Sequence, residues 1–330
     1  MLAKRVLQMV NRKSWRRSVF AIGMALGVFL FARQLWSGYR ALRQQEFVHF
    51  RPGYLLAALM LSLLVYILQM LAWLMIMRHL GISIGVREAL RGFFLSFLPR
   101  YIPGSVWGYW SRSHWLEDSL GIGYSTSVLG SILEALALVL TALTVAGVHL
   151  TLRSSGYVRF LLALGSACVM GFTWLAVPRV SGLITQRLAA EEPPLFGRRV
   201  NGLRAWSVAL GLCTILWLTY GGSVLLVGNA LLPRPSGKWL ASTSAAALSW
   251  TLGFVAVFVP SGLGVREASL SVLLPRYTDF VPWQANLIGV VCRFEILLAE
   301  LLLLIVGLVL RINAQPDNSP RQYVEPSEEE

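Results

Sequence analysis

Charge is scarce in this chain: Asp, Glu, Lys and Arg make up 14% of its 330 residues, whereas hydrophobic residues make up 56% and mean hydropathy is +0.62. A soluble domain carries about a quarter charged residues, so the deficit excludes an ordinary globular core inside a hydrated surface. Acidic residues are scarcer still, 16 against 29 basic ones, for a net charge of +13. That excess raises nucleic acid as a partner. The basic residues, however, are not gathered on a soluble module with aromatic or motif support, and nucleic-acid binding is excluded on that ground. Cysteine is nearly absent. Cys168, Cys213 and Cys292 each stand alone inside an apolar run, where a thiol behaves as a small hydrophobe, and they build neither a disulfide framework nor a metal site. The four histidines, His49, His79, His114 and His149, are scattered without ligand spacing. No Ser-His-Asp pattern, zinc signature or nucleotide loop is visible, so no catalytic residue, metal or cofactor is expected.

What the chain has in quantity is uninterrupted apolar sequence. Against the ~20 residues that a membrane-spanning helix needs, clear spans fall at roughly residues 18–36, 54–77, 126–150, 158–177, 206–231 and 284–310. Residues 89–111 and 240–275 are also apolar but are broken near their middles by Pro and Gly, the mark of a re-entrant or discontinuous helix. The expected fold class is an all-α polytopic membrane protein with about six full transmembrane helices plus two broken ones. A signal peptide is the rival for the first span, but the run from Ser18 to Trp36 exceeds the ~7–15 residues of a signal core and no clean cleavage site follows it.

Placing the N-terminus in the cytoplasm puts 17 basic residues inside, Arg112 among them, against 8 outside, with Arg33, Arg100, Arg266 and Arg293 left at membrane depth. This asymmetry predicts a multi-pass cell-membrane protein with both termini cytoplasmic. The chain divides into a basic N-terminus (1–17), a transmembrane domain (18–310) and a polar, acidic tail (311–330) that cannot bury enough apolar surface to fold. Within the domain, halves at about 54–177 and 206–310 flank an arginine-rich connector (178–205) that begins with a short surface helix. The halves repeat weakly: each has an apolar lead-in, a Pro/Gly break, a short helix, a polar turn and a long span containing a glutamate. Pro103 matches Pro260, and Glu134 matches Glu295. The first break enters from the cytoplasm and the second from outside, the relation expected of inverted repeats.

The breaks read Arg100-Tyr101-Ile102-Pro103-Gly104-Ser105-Val106-Trp107 and Val259-Pro260-Ser261-Gly262-Leu263-Gly264-Val265-Arg266-Glu267. Irregular backbone at membrane depth survives only where it faces protein or a water-filled cavity, and paired interruptions point to a substrate site between repeats. The second turn frees amides at the start of a half-helix, where the macrodipole favours an anion, and Arg266 adds a full positive charge. Pro103-Gly104-Ser105 starts another, with Arg100 behind it and Arg112 beyond. Seven ionisable residues, Arg100, Glu134, Arg266, Glu267, Arg293, Glu295 and Glu300, lie at or near membrane depth. Each costs about 2.5–3.5 kcal/mol at a helix centre, so each pairs or lines a hydrated path. Static ion pairs account for any one of them, but the set exceeds what helix packing uses. On their helix Arg293 and Glu300 share a face, whereas Glu295 points nearly the opposite way. Trp107, Trp110 and Trp115 flank the first break as interfacial anchors.

At these two breaks the sequence resembles the transmembrane domain of the lysylphosphatidylglycerol synthase/flippase superfamily. The resemblance rests on Arg100 to Trp107, the Glu134 span that follows, and Pro260 to Glu267, and covers most of residues 15–310. It implies inverted repeats and re-entrant helices that move a charged lipid between leaflets, or a stand-alone relative associated with cell-envelope or glycolipid pathways. Substrate contacts would come from Arg100, Pro103, Gly104, Ser105, Glu134, Ser261, Gly262, Gly264, Arg266, Glu267, Arg293 and Glu295. The implied partner is a membrane lipid with an anionic headgroup; a separate glycosyltransferase or lipid-modifying enzyme and a homo-oligomer are left open. Two-domain relatives carry a soluble aminoacyl-transferring domain, whereas only about 20 polar residues follow Leu310 here, so lipid aminoacylation is not expected. Serine at positions 105 and 261, where some relatives have lysine-like or glycine residues, bears on headgroup preference. Without an ATP site, any drive comes from ion coupling, membrane potential or the substrate gradient. Two other functions stay open: a lipid-linked transferase using an intramembrane glutamate as general base, and a non-transporting scaffold for a glycosyltransferase or envelope enzyme.

Overall fold

The computed structural model describes residues 28–40, 50–101, 107–188, 202–231, 238–257 and 259–312, with positions 25 and 43 besides. No strand occurs among them. The helices are α1 (residues 28–40), α2 (Pro52–His79), α3 (Val86–Leu95), α4 (Trp107–Leu120), α5 (Tyr124–Arg153), α6 (Gly156–Gly171), α7 (Val177–Leu188), α8 (Gly202–Leu231), α9 (Trp239–Val255), α10 (Val265–Tyr277) and α11 (Pro282–Ile312). Helices α2, α5 and α8, and the run through α6 into α7, are long and apolar enough to cross a membrane. Helix α11 has 31 residues but carries Arg293, Glu295 and Glu300 along its length.

Many large apolar side chains face outward. On α2, Leu56, Met60, Leu64 and Ile67 are exposed while Ser62, Tyr66 and Gln69 are buried, the reverse of a helix packed in water. Helix α6 buries none of its residues and exposes Phe160, Leu161, Leu164 and Met170. Apolar surface on this scale needs lipid as its solvent. The chain is a helical membrane protein.

Helices α2 and α8 make the most extensive contact in the bundle and run antiparallel. The Arg51 amide donates to the Ala230 carbonyl at 3.0 Å at one end, and His79 Nδ1 lies 2.7 Å from the Gly202 carbonyl at the other. Each break folds into a hairpin. In the first, Gly92 of α3 packs against the Trp115 ring of α4, and Gly108 of α4 against Ser96 and Arg100. In the second, Gly253 of α9 packs against Arg266 and Gly262. The hairpin bases lie at opposite ends of the bundle. Helix α3 follows the His79 end, whereas α10 ends at Tyr277, whose carbonyl accepts from Arg153 at 3.0 Å at the far end of α5. Their tips, the 3-10 turns Leu98–Tyr101 and Pro260–Gly262, touch in the middle.

Packing partners exchange between the halves. Helix α4 lies on α5 and α10 on α11, whereas α3 crosses to α11 and α9 crosses to α5. Each hairpin thus rests one arm on the long glutamate-bearing helix of its own half and the other arm on that of the opposite half. The broken segments are longer than the sequence suggests, running from 86 to 120 and from 239 to 277.

One boundary differs from expectation. The sequence ends a span at Val177 and begins a separate surface helix, but α6 passes through a wide π turn, Phe172–Ala176, and continues to Leu188. Pro178 explains the widening. It has no N–H to donate to the Thr173 carbonyl five residues back, and Trp206 Nε1 of α8 supplies that bond at 2.9 Å. A tertiary donor thus carries the helix through a proline that would otherwise end it.

Candidate functional site

Ser62, Tyr66, Gln69 and Trp73 fall four, three and four residues apart, so they form one stripe on α2. Each meets a different charge. Ser62 Oγ donates to Glu295 Oε1 at 2.7 Å, Tyr66 Oη to Glu300 Oε1 at 2.6 Å, and Gln69 Nε2 to Glu134 Oε1 at 2.8 Å. The Trp73 ring lies 4.5 Å from the Arg112 guanidinium. An apolar-looking helix thus supplies the polar lining of the bundle.

Two ion pairs are closed by protein. Arg112 of α4 pairs with Glu134 of α5 and also donates to Ser131 Oγ at 3.0 Å; Arg112 and Glu134 are 1% and 0% exposed. Trp73, Phe93 and Tyr109 surround the guanidinium with ring faces. The sequence counted Arg112 among the cytoplasmic cations, but the returning arm of the first hairpin carries it into the core. In the second half Arg293 Nε lies 3.5 Å from Glu267 Oε1, both buried, and the Glu267 carbonyl accepts from Gln34 of α1 at 3.1 Å. Arg293 and Glu300, expected to share a face, take different partners: Arg293 turns to α10 and Glu300 to α2.

Two other arginines are not closed. Arg100, on the first tip, and Arg266, at the start of α10, line one cavity together with Tyr66, Gln69, Tyr109 and Glu300. Among the described residues neither makes an ion pair. Arg100 rests 4.6 Å from the Phe97 ring, and Arg266 5.2 Å from Trp250, with its Nε buried and without a hydrogen-bond partner. Aromatic faces hold a guanidinium in place without cancelling its charge. Glu300 is the carboxylate of the lining and takes the Tyr66 hydroxyl. The cavity is therefore suited to an anion.

The second turn shapes its wall. Ser261 and Gly262 both lie on the lining and adopt left-handed backbone, with φ of 51° and 63°. A Cβ on Gly262 would sit 2.7 Å from the Gly253 carbonyl oxygen and 2.9 Å from its Cα. Only a residue without a side chain lets the tip close on α9. Gly264, with φ 78°, precedes the first turn of α10. Tyr109 and Phe254 also border a second space, a groove of about 1560 Å³ lined by Trp107, Trp110, Ile132, Leu136, Val139 and Val257 among others. A charged cavity and an apolar groove thus share a wall.

Of the residues expected at a substrate site, Arg100, Ser261, Gly262 and Arg266 come together at this cavity. Glu134, Glu267 and Arg293 are held in the closed pairs. Glu295 is held by Ser62 and Ser223, away from the arginines' lining. Pro103, Gly104 and Ser105 lie outside the described residues. Tyr66, Gln69 and Tyr109 were not foreseen. The α2 residues had a signal, their helical spacing inside an apolar run, whereas Tyr109 had none apart from its place on the returning arm.

Comparison with protein families finds that the model of the lysylphosphatidylglycerol synthase TM region matches residues 18–307. No curated protein matches the chain.

Proposed function

Since the chain belongs to the family of the lysylphosphatidylglycerol synthase TM region, we propose that it is a flippase-like transporter moving a phosphate-bearing lipid or lipid-linked glycan between leaflets. The observation that carries this reading is the cavity at the meeting of the two tips. Among the described residues its two arginines make no ion pair, and it lies beside an apolar groove. A lipid phosphate satisfies Arg100 and Arg266 with charge-assisted hydrogen bonds, and the groove takes its chain. Amides at the start of α10 add the favourable end of a helix dipole. Glu134, Glu267 and Arg293 support this site by fixing the helices around it. The chain transports in this reading and catalyses no reaction.

The topology proposed with it has six full spans, two hairpins that are re-entrant from opposite faces as inverted repeats, and both termini in the cytoplasm of the cell membrane. Any enzyme that makes or consumes the lipid is a separate partner. Purified protein in liposomes, given a fluorescent anionic lipid in one leaflet, is expected to equilibrate it faster than empty liposomes, and Arg266→Gln is expected to slow that exchange. Equal rates with and without protein would leave the scaffold reading ahead. Cysteine labelling decides the orientation: modification of residues 195–200 from outside intact cells would reverse it.

A further inference from the structure

Glu295 is a membrane-depth carboxylate held by two serine hydroxyls. Arg293, two residues before it, turns to Glu267, and among the described residues Glu295 makes no ion pair. Its Oε1 instead receives Ser62 Oγ at 2.7 Å and Ser223 Oγ at 2.8 Å, while the two hydroxyl oxygens lie 3.1 Å from each other. Among the described residues Oε2 has no hydrogen-bond partner, and it is buried.

These distances define a triangle of oxygens, and protons can be counted around it. Two serines supply two hydroxyl protons. An ionised carboxylate supplies none, so one of the three edges would bring oxygen against oxygen without hydrogen between them, and charge would sit on an unsolvated Oε2. A proton on Oε1 completes the ring: Oε1–H donates to one serine, that serine to the other, and the second back to Oε1. The carboxyl is then neutral, as its missing cation requires.

The charged and titratable surroundings leave this role to Glu295. Cys292 on its own helix and Tyr220 on α8 are the titratable groups that feel its charge. From α10, Glu267 is held by Arg293, while Arg266 faces the cavities. From α2, Tyr66 is committed to Glu300. Helix α3 brings Arg87, Glu88 and Arg91, and α1 brings the exposed Arg33; none of these pairs with Glu295. The described histidines, His79, His114 and His149, line neither cavity beside it. Ser62 connects the triangle to the transport site: it lines a small space whose other walls include Tyr66, Gln69, Trp250 and Arg266, all of which also line the anion cavity.

We propose that Glu295, Ser62 and Ser223 form a proton-binding site coupled to the anion site at Arg100 and Arg266. On loading, hydronium in the cavity gives a proton to Ser62, which passes its own to Oε1; unloading reverses the transfer, and no other bond changes. A protonated Glu295 removes the negative charge that Ser62 connects to the anion cavity, so acid strengthens anion binding. By reciprocity a bound anion raises the proton affinity of Glu295 by the same factor. The proposal supplies the drive that the transporter reading lacks and rests on that reading for the anion.

Infrared difference spectroscopy on protein in phosphatidylcholine nanodiscs tests the proton directly. On titration from acid to alkali, the wild type is expected to lose the carbonyl stretch of a buried carboxylic acid, and Glu295→Gln is expected to lack that band. Ser62→Ala and Ser223→Ala keep the band and move its midpoint, which separates the assignment from a variant that merely fails to fold. Native mass spectrometry tests the coupling: the wild type is expected to retain phosphatidylglycerol roughly 5- to 10-fold better in acid than in alkali, and Glu295→Gln to show no such ratio. A band unchanged in Glu295→Gln, a retention ratio unchanged in it, or retention that follows sodium instead of pH overturns the proposal. If Arg100→Gln and Arg266→Gln lose no anionic lipid, the anion site fails separately, and the infrared band still reads the proton.

Discussion

Each hairpin carries one charge that the protein closes in an ion pair, Arg112 in the first and Glu267 in the second, and one arginine that it does not close. In the first, Arg112 is 1% exposed, paired with Glu134 and bonded to Ser131. Twelve residues earlier Arg100 opens into a cavity with only aromatic rings behind it. In the second, the Glu267 carboxylate takes Arg293, and Arg266 next to it opens into the same cavity. All four sites hold charge at membrane depth, so depth alone does not separate structure from function. Partnering does. A closed pair has its charge answered even where, as at Arg112 and Arg293, some buried N–H groups find no acceptor among the described residues, whereas an unpaired cation beside a cavity is stable when something anionic visits it.

The sharpest way to break this contrast is to open a closed pair. Arg112→Met leaves Glu134 buried without its cation and is expected to cost about 3–5 kcal/mol, read as lowered thermal unfolding in detergent. Adding Glu134→Gln is expected to restore most of the loss, because no charge is then stranded. Next comes the tip itself. Gly262→Ala forces a Cβ against the Gly253 backbone at a positive φ, and a loss of about 1–3 kcal/mol is expected by the same measurement. Opening nothing, Arg266→Gln or Arg100→Gln is expected to leave stability within about 1 kcal/mol while weakening anionic-lipid binding roughly tenfold, or about 1.4 kcal/mol. Smallest of all is Ser261→Gly, which relieves a left-handed serine and is expected to raise stability by less than about 1 kcal/mol.

Much of the fold is legible in the sequence because lipid imposes so few solutions. Long apolar runs can only be helices, and Pro-Gly punctuation inside two of them marked the hairpins whose tips meet. Arg112 was not legible. Its neighbours Ser111, Ser113 and His114 are polar and read as a loop, and only the fold-back of α4 places that stretch against Trp73 and Glu134. The α2 stripe was legible in principle, since Ser62, Tyr66 and Gln69 repeat at helical spacing, but average hydropathy conceals three polar residues in a 28-residue apolar helix. Which carboxylate each polar group takes follows from how α5 and α11 pack on α2, and spacing along one chain does not contain that. The span end at Val177 fails for the opposite reason: Pro178, a local helix breaker, is carried through by a distant donor, Trp206.

The contrast between satisfied and open arginines is tested most directly by native mass spectrometry of two double variants in a mixture of phosphatidylglycerol and phosphatidylcholine. Arg100→Gln with Arg266→Gln is expected to keep the wild-type unfolding temperature and lose the preference for phosphatidylglycerol. Arg112→Met with Glu134→Gln is expected to keep the preference. Retention of phosphatidylglycerol by the folded Arg100→Gln, Arg266→Gln protein at the wild-type ratio would contradict an anion site between the two tips.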